Sequence, residues 1–226
     1  LKLNTEVMQE NIFEAQDLQL LKYGHANAEK VTLAFWLKSP VTGTHIASLY
    51  QFDDNRQVSK AYTVSSADTW QKVVLDFPAD TTGVIDNNNG AGMGIELAFR
   101  AGTNYSSGTL ATSWASYTAA NQYVGQVDAC ASTSNNIYVT GVQLEVGEYT
   151  SASIPSFQYE SFGDSFARCQ RYFQRYTQPP LIGSANANNS VARASIGLFP
   201  VQMRVAPTAS QSGTFNWFYS NTHQPT

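Results

Sequence analysis

Charged side chains are scarce in this sequence of 226 residues. Asp, Glu, Lys and Arg make up 13% of the chain, about half of the usual ~25%. Long solvent-exposed helices need Lys and Glu on their outer faces, so the shortage argues against an all-helical protein. The formal net charge is -4, and such a chain has no basic field to hold nucleic acid or an anionic membrane surface.

Hydrophobic runs, cysteines and histidines are also few. No stretch approaches the ~18 apolar residues that cross a bilayer, so we expect no membrane insertion. The two cysteines, Cys130 and Cys169, lie far apart, which favours two buried, reduced thiols, with a disulfide or metal ligation as alternatives. None of the three histidines has metal-ligand spacing to another histidine or a cysteine, so we expect no zinc site and no cofactor.

Short strands dominate what the sequence does contain. Apolar residues from Val31 to Leu37 alternate with the residues between them, which is the period of a half-buried strand. Turn signals separate seven further predicted strands, at 12–15, 44–52, 57–65, 70–77, 92–102, 123–131 and 137–146. Trp70 is predicted to enter the core, and Gly141 is predicted to mark a kink or bulge. This spacing predicts an antiparallel β-sandwich.

One clear helix is predicted after the strands. Ser161 and Asp164 have the spacing of a capping box, and apolar residues follow at helical spacing: Phe162, Phe166, Cys169 and Phe173. We place this helix at 161–176. A shorter helix, capped by Asp17, is predicted over 17–23.

Three regions are predicted: a sandwich over 1–150, a connector with the helix over 151–180, and a small β module over 181–226. The module has predicted strands at 191–199 and 214–219. It is too small to bury much core alone, which favours intertwining with sister chains. The sequence starts without Met and stops directly after an aromatic segment, so we expect a fragment or a processed chain.

No motif predicts catalysis. The Gly163-Asp164-Ser165 block occurs without the Asp-x-x-His block that esterases of this kind need. A glycosidase needs a pair of carboxylates, and the candidates are Glu96, Glu145 and Glu148. The presence of these acids is explained equally well by positions at strand edges and in solvated loops. The loop acids are expected to be solvated turn residues, with a calcium site as the alternative; they are Asp53, Asp54, Asp80 and Asp86. We therefore expect a protein that is not an enzyme.

Aromatic residues are the more informative signal, at 12% of the chain. Sugar binders use exposed Trp and Tyr as flat platforms, because the apolar C–H face of a sugar stacks on a ring. Trp114 and Tyr117 lie in a predicted polar loop over 103–120, and we predict that they bind carbohydrate. The alternative is that they close the open edge of the sandwich. Trp36 and Trp70 lie in predicted strands and are expected to be structural.

Several segments follow a recognisable pattern. They are DLQ (17–19), KYG (22–24), VTLAFWLKS (31–39), TGT (42–44), YTV (62–64), TW (69–70), DTTG (80–83), TGVQLEVG (140–147), CQRYF (169–173) and FPVQMRVAPT (199–208). In order and number they resemble the jelly-roll module, related to carbohydrate-binding modules, of tail fibres and other virion structural proteins of tailed bacteriophages. The resemblance covers nearly the whole chain.

The resemblance implies an all-β fold: an antiparallel jelly-roll β-sandwich followed by one α-helix and a small C-terminal β module. It implies assembly in the host cytoplasm and a place on the virion surface. The expected partners are sister chains in a homotrimer, other virion proteins and host surface glycans. It transfers no catalytic residue. The hypothesis is a non-enzymatic tail-fibre or head-fibre subunit that displays a host-contact surface. The alternatives are a carbohydrate-binding module of a larger glycan-active enzyme, or a ligand-free capsid decoration or adaptor protein.

Overall fold

A computed structural model describes residues 7–175, 182–185, 192–195, 199–208 and 210. The chain divides into two compact units, Leu1–Gln158 and Tyr159–Thr226. The strands of the first unit are β1 (Val7–Glu14), β2 (Val31–Lys38), β3 (Gly43–Gln51), β4 (Arg56–Val64), β5 (Gln71–Phe77), β6 (Ala91–Arg100), β7 (Ala115–Ser116) and β8 (Tyr138–Val146).

These strands form two antiparallel sheets, a five-stranded one in the order β1-β6-β3-β4-β7 and a three-stranded one in the order β5-β2-β8. Both sheets contribute to one hydrophobic core. The buried residues of β2 and β6 in this core are Val31, Leu33, Phe35, Leu37, Met93, Ile95 and Leu97. The prediction of an all-β fold with antiparallel sheets is therefore confirmed. The alternation that predicted the strand from Val31 separates the core-facing side chains of β2 from those on its outer side, where Thr32 and Ala34 are buried as well.

The helices are short. Two 3-10 helices span Ala15–Leu21 and Ala119–Asn121, and two α-helices span Thr103–Ser106 (α1) and Phe162–Gln170 (α2). The predicted capping box of α2 is confirmed: the Asp164 backbone N–H donates to Ser161 Oγ (3.2 Å), and this hydroxyl donates to Asp164 Oδ2 (2.6 Å). The second unit contains α2 and a pair of antiparallel strands, β9 (Ile182–Ala185) and β10 (Ala192–Ser195).

Several predicted bounds are wrong. The helix predicted to reach 176 ends at Gln170, because the chain then turns with Tyr172 and Phe173 both donating to the Cys169 carbonyl. The helix predicted over 17–23 is the 3-10 helix Ala15–Leu21, with Glu14 instead of Asp17 at its N-cap. The strand predicted over 12–15 belongs to the longer β1. The strand predicted over 214–219 lies outside the described residues.

The strand predicted over 123–131 is also wrong, because the chain there forms turns. The apolar pattern of this segment comes from packing onto a sheet and not from pairing within one. The Tyr123 side chain is fully buried against Ile46 and Ala98 on the outer side of the five-stranded sheet. We call residues 101–130 the cover segment, since its apolar residues pack onto this outer side: Ala101, Tyr105, Leu110 and Tyr123.

A buried ion pair holds the connection between the two sheets. Asp80, 1% exposed at its side chain, lies between β5 and β6 and accepts hydrogen bonds from Arg56 Nε (2.6 Å) and Nη2 (3.1 Å). The Asp80 carboxylate also accepts the backbone N–H groups of Thr82 and Gly83. A Cβ at Gly83 would overlap the Arg56 side chain and lie 2.7 Å from Asp80 Oδ2. Only glycine therefore fits beside this pair.

We predict that Asp80→Asn lowers the free energy of unfolding by about 3 kcal/mol, because the buried Arg56 guanidinium loses its counter-charge. Urea denaturation followed by circular dichroism measures the loss. Asp86→Asn is the matched control, since Asp86 is an exposed acid of the same loop. An equal loss in both variants would contradict a structural role for the ion pair.

Candidate functional site

Three large aromatic side chains lie exposed on the outer side of the three-stranded sheet. Their exposed fractions are 43% for Trp36, 45% for Trp70 and 49% for Tyr138. Trp36 faces outward because its neighbours in β2, Phe35 and Leu37, are buried in the core, and successive side chains of a strand face opposite sides. The prediction that Trp70 enters the core is therefore wrong, and Trp36, which was expected to be structural, is exposed as well.

The strand pairing sets the order of the side chains on this surface. Lys38 of β2 lies opposite Tyr138 of β8. Trp36 lies between Lys72 of β5 and Thr140 of β8. Trp70 directly precedes β5, and its ring centroid is 6.4 Å from that of Tyr138. We define the aromatic face as Trp36, Lys38, Trp70, Lys72 and Tyr138.

A bulge at Gly141 shapes the β8 side of the aromatic face. Gly141 has a φ of 60°, and the pairing of β2 with β8 shifts between Ala34 and Trp36. The extra residue lets Thr140 and Gln143 share the outer side, although their separation would otherwise place them on opposite sides. A Cβ at Gly141 would lie 3.4 Å from Trp36 Cδ1, so the backbone approaches the indole closely. The predicted bulge is confirmed.

The turn before β5 positions Trp70. Gln71 Oε1 accepts hydrogen bonds from the Ser65 backbone N–H (3.1 Å) and hydroxyl (2.9 Å), and its Nε2 donates to the Ser66 carbonyl (3.0 Å). The Asp68 backbone N–H donates to the Ser39 carbonyl at 2.9 Å. These bonds fix the turn beside the end of β2, and Trp70 is thereby presented next to Lys38 and Tyr138.

The chain after β8 borders the aromatic face. Gln143 Nε2 donates to the Pro155 carbonyl at 3.0 Å. The Phe157 ring, 40% exposed, lies 4.0 Å from the position of a Gly141 Cβ. The face therefore has a wall on its β8 side and is open elsewhere, since its three largest rings keep more than two fifths of their surface.

Trp114, one of the two predicted carbohydrate-binding residues, is half-buried at the edge of the core. Its Nε1 donates to the Pro78 carbonyl at 2.8 Å. Its ring packs edge-on against buried Tyr23, with 5.6 Å between centroids. This placement corresponds to the alternative interpretation, closure of the edge of the two-sheet core.

Tyr117, the other predicted residue, is half-buried in the cover segment. Its ring lies 5.2 Å from that of Tyr50, and its hydroxyl donates to Gln122 Oε1 at 3.2 Å. Gln122 Nε2 and the Tyr123 hydroxyl both donate to Glu96 Oε2, at 2.5 and 3.0 Å. Tyr117 thus lies at the rim of a buried polar network and well apart in the fold from the aromatic face. A sugar-binding role for Trp114 and Tyr117 stays a prediction.

The buried histidine of the first unit is hydrogen-bonded in its neutral form. His45 Nε2 lies 3.1 Å from the Val41 carbonyl, and Gln126 Nε2 lies 3.4 Å from Nδ1. The Gln126 Oε1 atom also accepts the Ile46 backbone N–H at 2.7 Å. Burial lowers the pKa of His45, and the hydrogen bond to Val41 opposes this shift only in part. Gln126 of the cover segment therefore contacts both the His45 ring and the backbone of β3.

The acids and thiols that the sequence singled out lie in several places. Within the described ranges, no three His, Cys, Asp or Glu side chains are grouped as metal ligands. Asp53 and Asp54 instead accept the backbone N–H groups of Asp86 and Val84. Burial raises the pKa of Asp53. Both cysteines are free thiols, and the expected burial is wrong for Cys169, which is exposed, while Cys130 is half-buried.

Comparisons with known proteins give no relative. No protein-family model, curated protein or solved structure matches the chain. Within the part of the chain that the structure describes, no helix has the length and apolar character needed to cross a membrane. The aromatic face is therefore the structural feature that bears most directly on the function of the chain.

Protonation of His45 is expected to destabilise the fold. Since the pKa of His45 is lowered in the folded state, the unfolded chain binds a proton first as the pH falls below about 6.5, and the free energy of unfolding decreases. We predict that His45→Gln reduces this decrease between about pH 7 and about pH 5.5. Urea denaturation at each pH measures it. The exposed His25 supplies the control variant, His25→Gln; if both variants keep the parent's pH dependence, His45 is not its source.

Proposed function

We propose that this chain is a non-enzymatic structural subunit of a bacteriophage virion, in a tail fibre or head fibre, and that the aromatic face binds host surface glycans. The observation that carries the proposal is the exposure of Trp36, Trp70 and Tyr138 on one rigid sheet surface. The resemblance of the sequence to virion jelly-roll modules supports it, and we propose a jelly-roll connection of the two sheets.

The chemistry of the aromatic face suits a sugar. The indole and phenol rings offer flat apolar surfaces to the C–H face of a pyranose. Thr140 and Gln143 beside them offer hydroxyl and amide groups to its hydroxyls. Because the rings are held by strand pairing and by the Gln71 turn, little conformational freedom is lost on binding.

Two of the segments that carry the resemblance build this surface, and one of them, TGVQLEVG, is the most specific. VTLAFWLKS coincides with β2 and contains Trp36 and Lys38, and TGVQLEVG coincides with most of β8 and contains Gly141. The family resemblance and the exposed rings thus concern the same part of the fold. A carbohydrate-binding module of a larger glycan-active enzyme is the second candidate, since the aromatic face would serve it equally well. Detection of the chain in purified virions separates the two.

We propose further that α2 mediates assembly into a homotrimer. No residue of α2 is buried, and Phe162 and Phe166 are 84% and 51% exposed with their rings stacked at 5.8 Å. A nine-residue helix is too short to be stable without tertiary contacts. Packing of these rings between sister chains would supply such contacts. Three copies of a weak sugar site would also gain avidity without any new contact.

Loss of the rings is expected to abolish sugar binding. We predict that Trp36→Ala and Trp70→Ala each weaken binding of an oligosaccharide, first found on a glycan array, about tenfold or more. Isothermal titration calorimetry measures the change. Leu20→Ala, which truncates a residue that is 75% exposed elsewhere, should bind like the parent. Retained binding in both Trp variants together with loss in Tyr117→Ala would move the site to the cover segment.

Native mass tests the assembly proposal. We predict a trimer by light scattering, and a monomer for the double variant Phe162→Ser, Phe166→Ser, because the stacked rings are removed from the helix surface. Leu20→Ser is the control for an equally exposed apolar residue outside α2. A monomeric parent protein, or a double variant that stays trimeric, would contradict the role of α2.

A further inference from the structure

The lysines of the aromatic face differ from the other lysines of the described chain. Lys22 pairs with Glu29, Lys30 with Glu148 and Lys60 with Asp76, at nitrogen–oxygen distances between 2.5 and 3.8 Å. In the same described residues, Lys38 and Lys72 have no carboxylate within ion-pair distance. Lys38 instead lies over the Tyr138 ring, 5.6 Å from its centroid.

The two lysines without a carboxylate partner are also neighbours of the same rings. Lys72 of β5 is directly opposite Trp36, and Lys38 is two residues further along β2. Lys38 and Lys72 are therefore diagonal neighbours, a relation in which the two Cα atoms are about 7–8 Å apart. Asp68, the acid in the turn before Trp70, is outside ion-pair distance of both. Two ammonium groups without a carboxylate partner among the described residues thus lie next to Trp36, in a chain of net charge -4.

The acids of this sheet surface lie at its other end. Thr32, four residues before Trp36, lies between Asp76 and Glu145, which places these carboxylates roughly 13 Å from the row of Trp36. Asp76 pairs with Lys60, and Glu145 Oε1 accepts a hydrogen bond from Gln143 Nε2 at 2.8 Å. The positive charge beside the rings is therefore left for a ligand.

We propose that the aromatic face binds an acidic glycan, a polysaccharide of uronic acids, with Trp36, Trp70 and Tyr138 on the sugar rings and Lys38 and Lys72 on the carboxylates. The proposal rests on the proposed sugar-binding function and adds the ligand class. A uronic acid fits because it presents an apolar C–H face and a carboxylate at the edge of the same ring. An ammonium group beside an aromatic ring can reach that edge while the sugar stacks.

The test compares two probes of the same size: a galacturonic acid tetrasaccharide and its methyl ester, in which the charges are removed. In low salt, calorimetry with the full chain should show the acid form bound about tenfold more tightly than the ester. Added salt should reduce this difference, because exposed ion pairs are screened. The double variant Lys38→Gln, Lys72→Gln should bind the two probes equally.

The matched control is Lys22→Gln, Lys30→Gln, which changes the net charge equally but removes paired lysines outside the aromatic face. It should keep the parent's preference for the acid form. Equal binding of acid and ester by the parent, or an unchanged preference in Lys38→Gln, Lys72→Gln, would overturn the acidic ligand and leave sugar binding standing. If the parent bound neither this pair nor any sugar on a glycan array, the sugar-binding function would fall with it.

Discussion

The ion pair between Arg56 and Asp80 connects the parts of the first unit that the hydrophobic core alone would leave free to slide. Arg56 begins β4 of the five-stranded sheet, and Asp80 follows β5 of the three-stranded sheet. The Asp80 carbonyl accepts the backbone N–H of Gly24, which follows the 3-10 helix Ala15–Leu21, and the nearby Pro78 carbonyl accepts a hydrogen bond from Trp114 Nε1. One short loop therefore fixes both sheets and the edge of the core.

The outer sides of the two sheets differ in how far the rest of the chain covers them. The cover segment packs Tyr105, Leu110 and Tyr123 onto the five-stranded sheet and buries the carboxylate of Glu96 under a closed polar network. On the three-stranded sheet, the described chain borders the aromatic face on its β8 side, at Pro155 and Phe157. The large rings of β2 and of the turn before β5 remain in solvent for this reason.

The sequence predicted what depends on local pattern and missed what depends on distant contacts. The periodicity of β2 and the capping of α2 by Ser161 are local, and both were predictable. Asp80 was expected to be a solvated turn residue, because nothing near it in the sequence indicates a guanidinium 24 positions earlier. Trp70 was misjudged although its signal was present: it has the opposite parity to Val73, Leu75 and Phe77, the residues of β5 that contribute to the core.

The composition of the aromatic face favours an anionic ligand over a purely apolar protein surface. A second apolar surface packed onto Trp36 and Trp70 would have to bury Lys38 and Lys72 without counter-charges, and desolvation of an unpaired ammonium group is costly. A hydrated, anionic sugar avoids this cost, because it covers the rings with C–H groups and leaves the lysines partly in water beside its own charges. The unpaired lysines therefore weigh against a purely apolar protein interface here and fit the proposed acidic glycan.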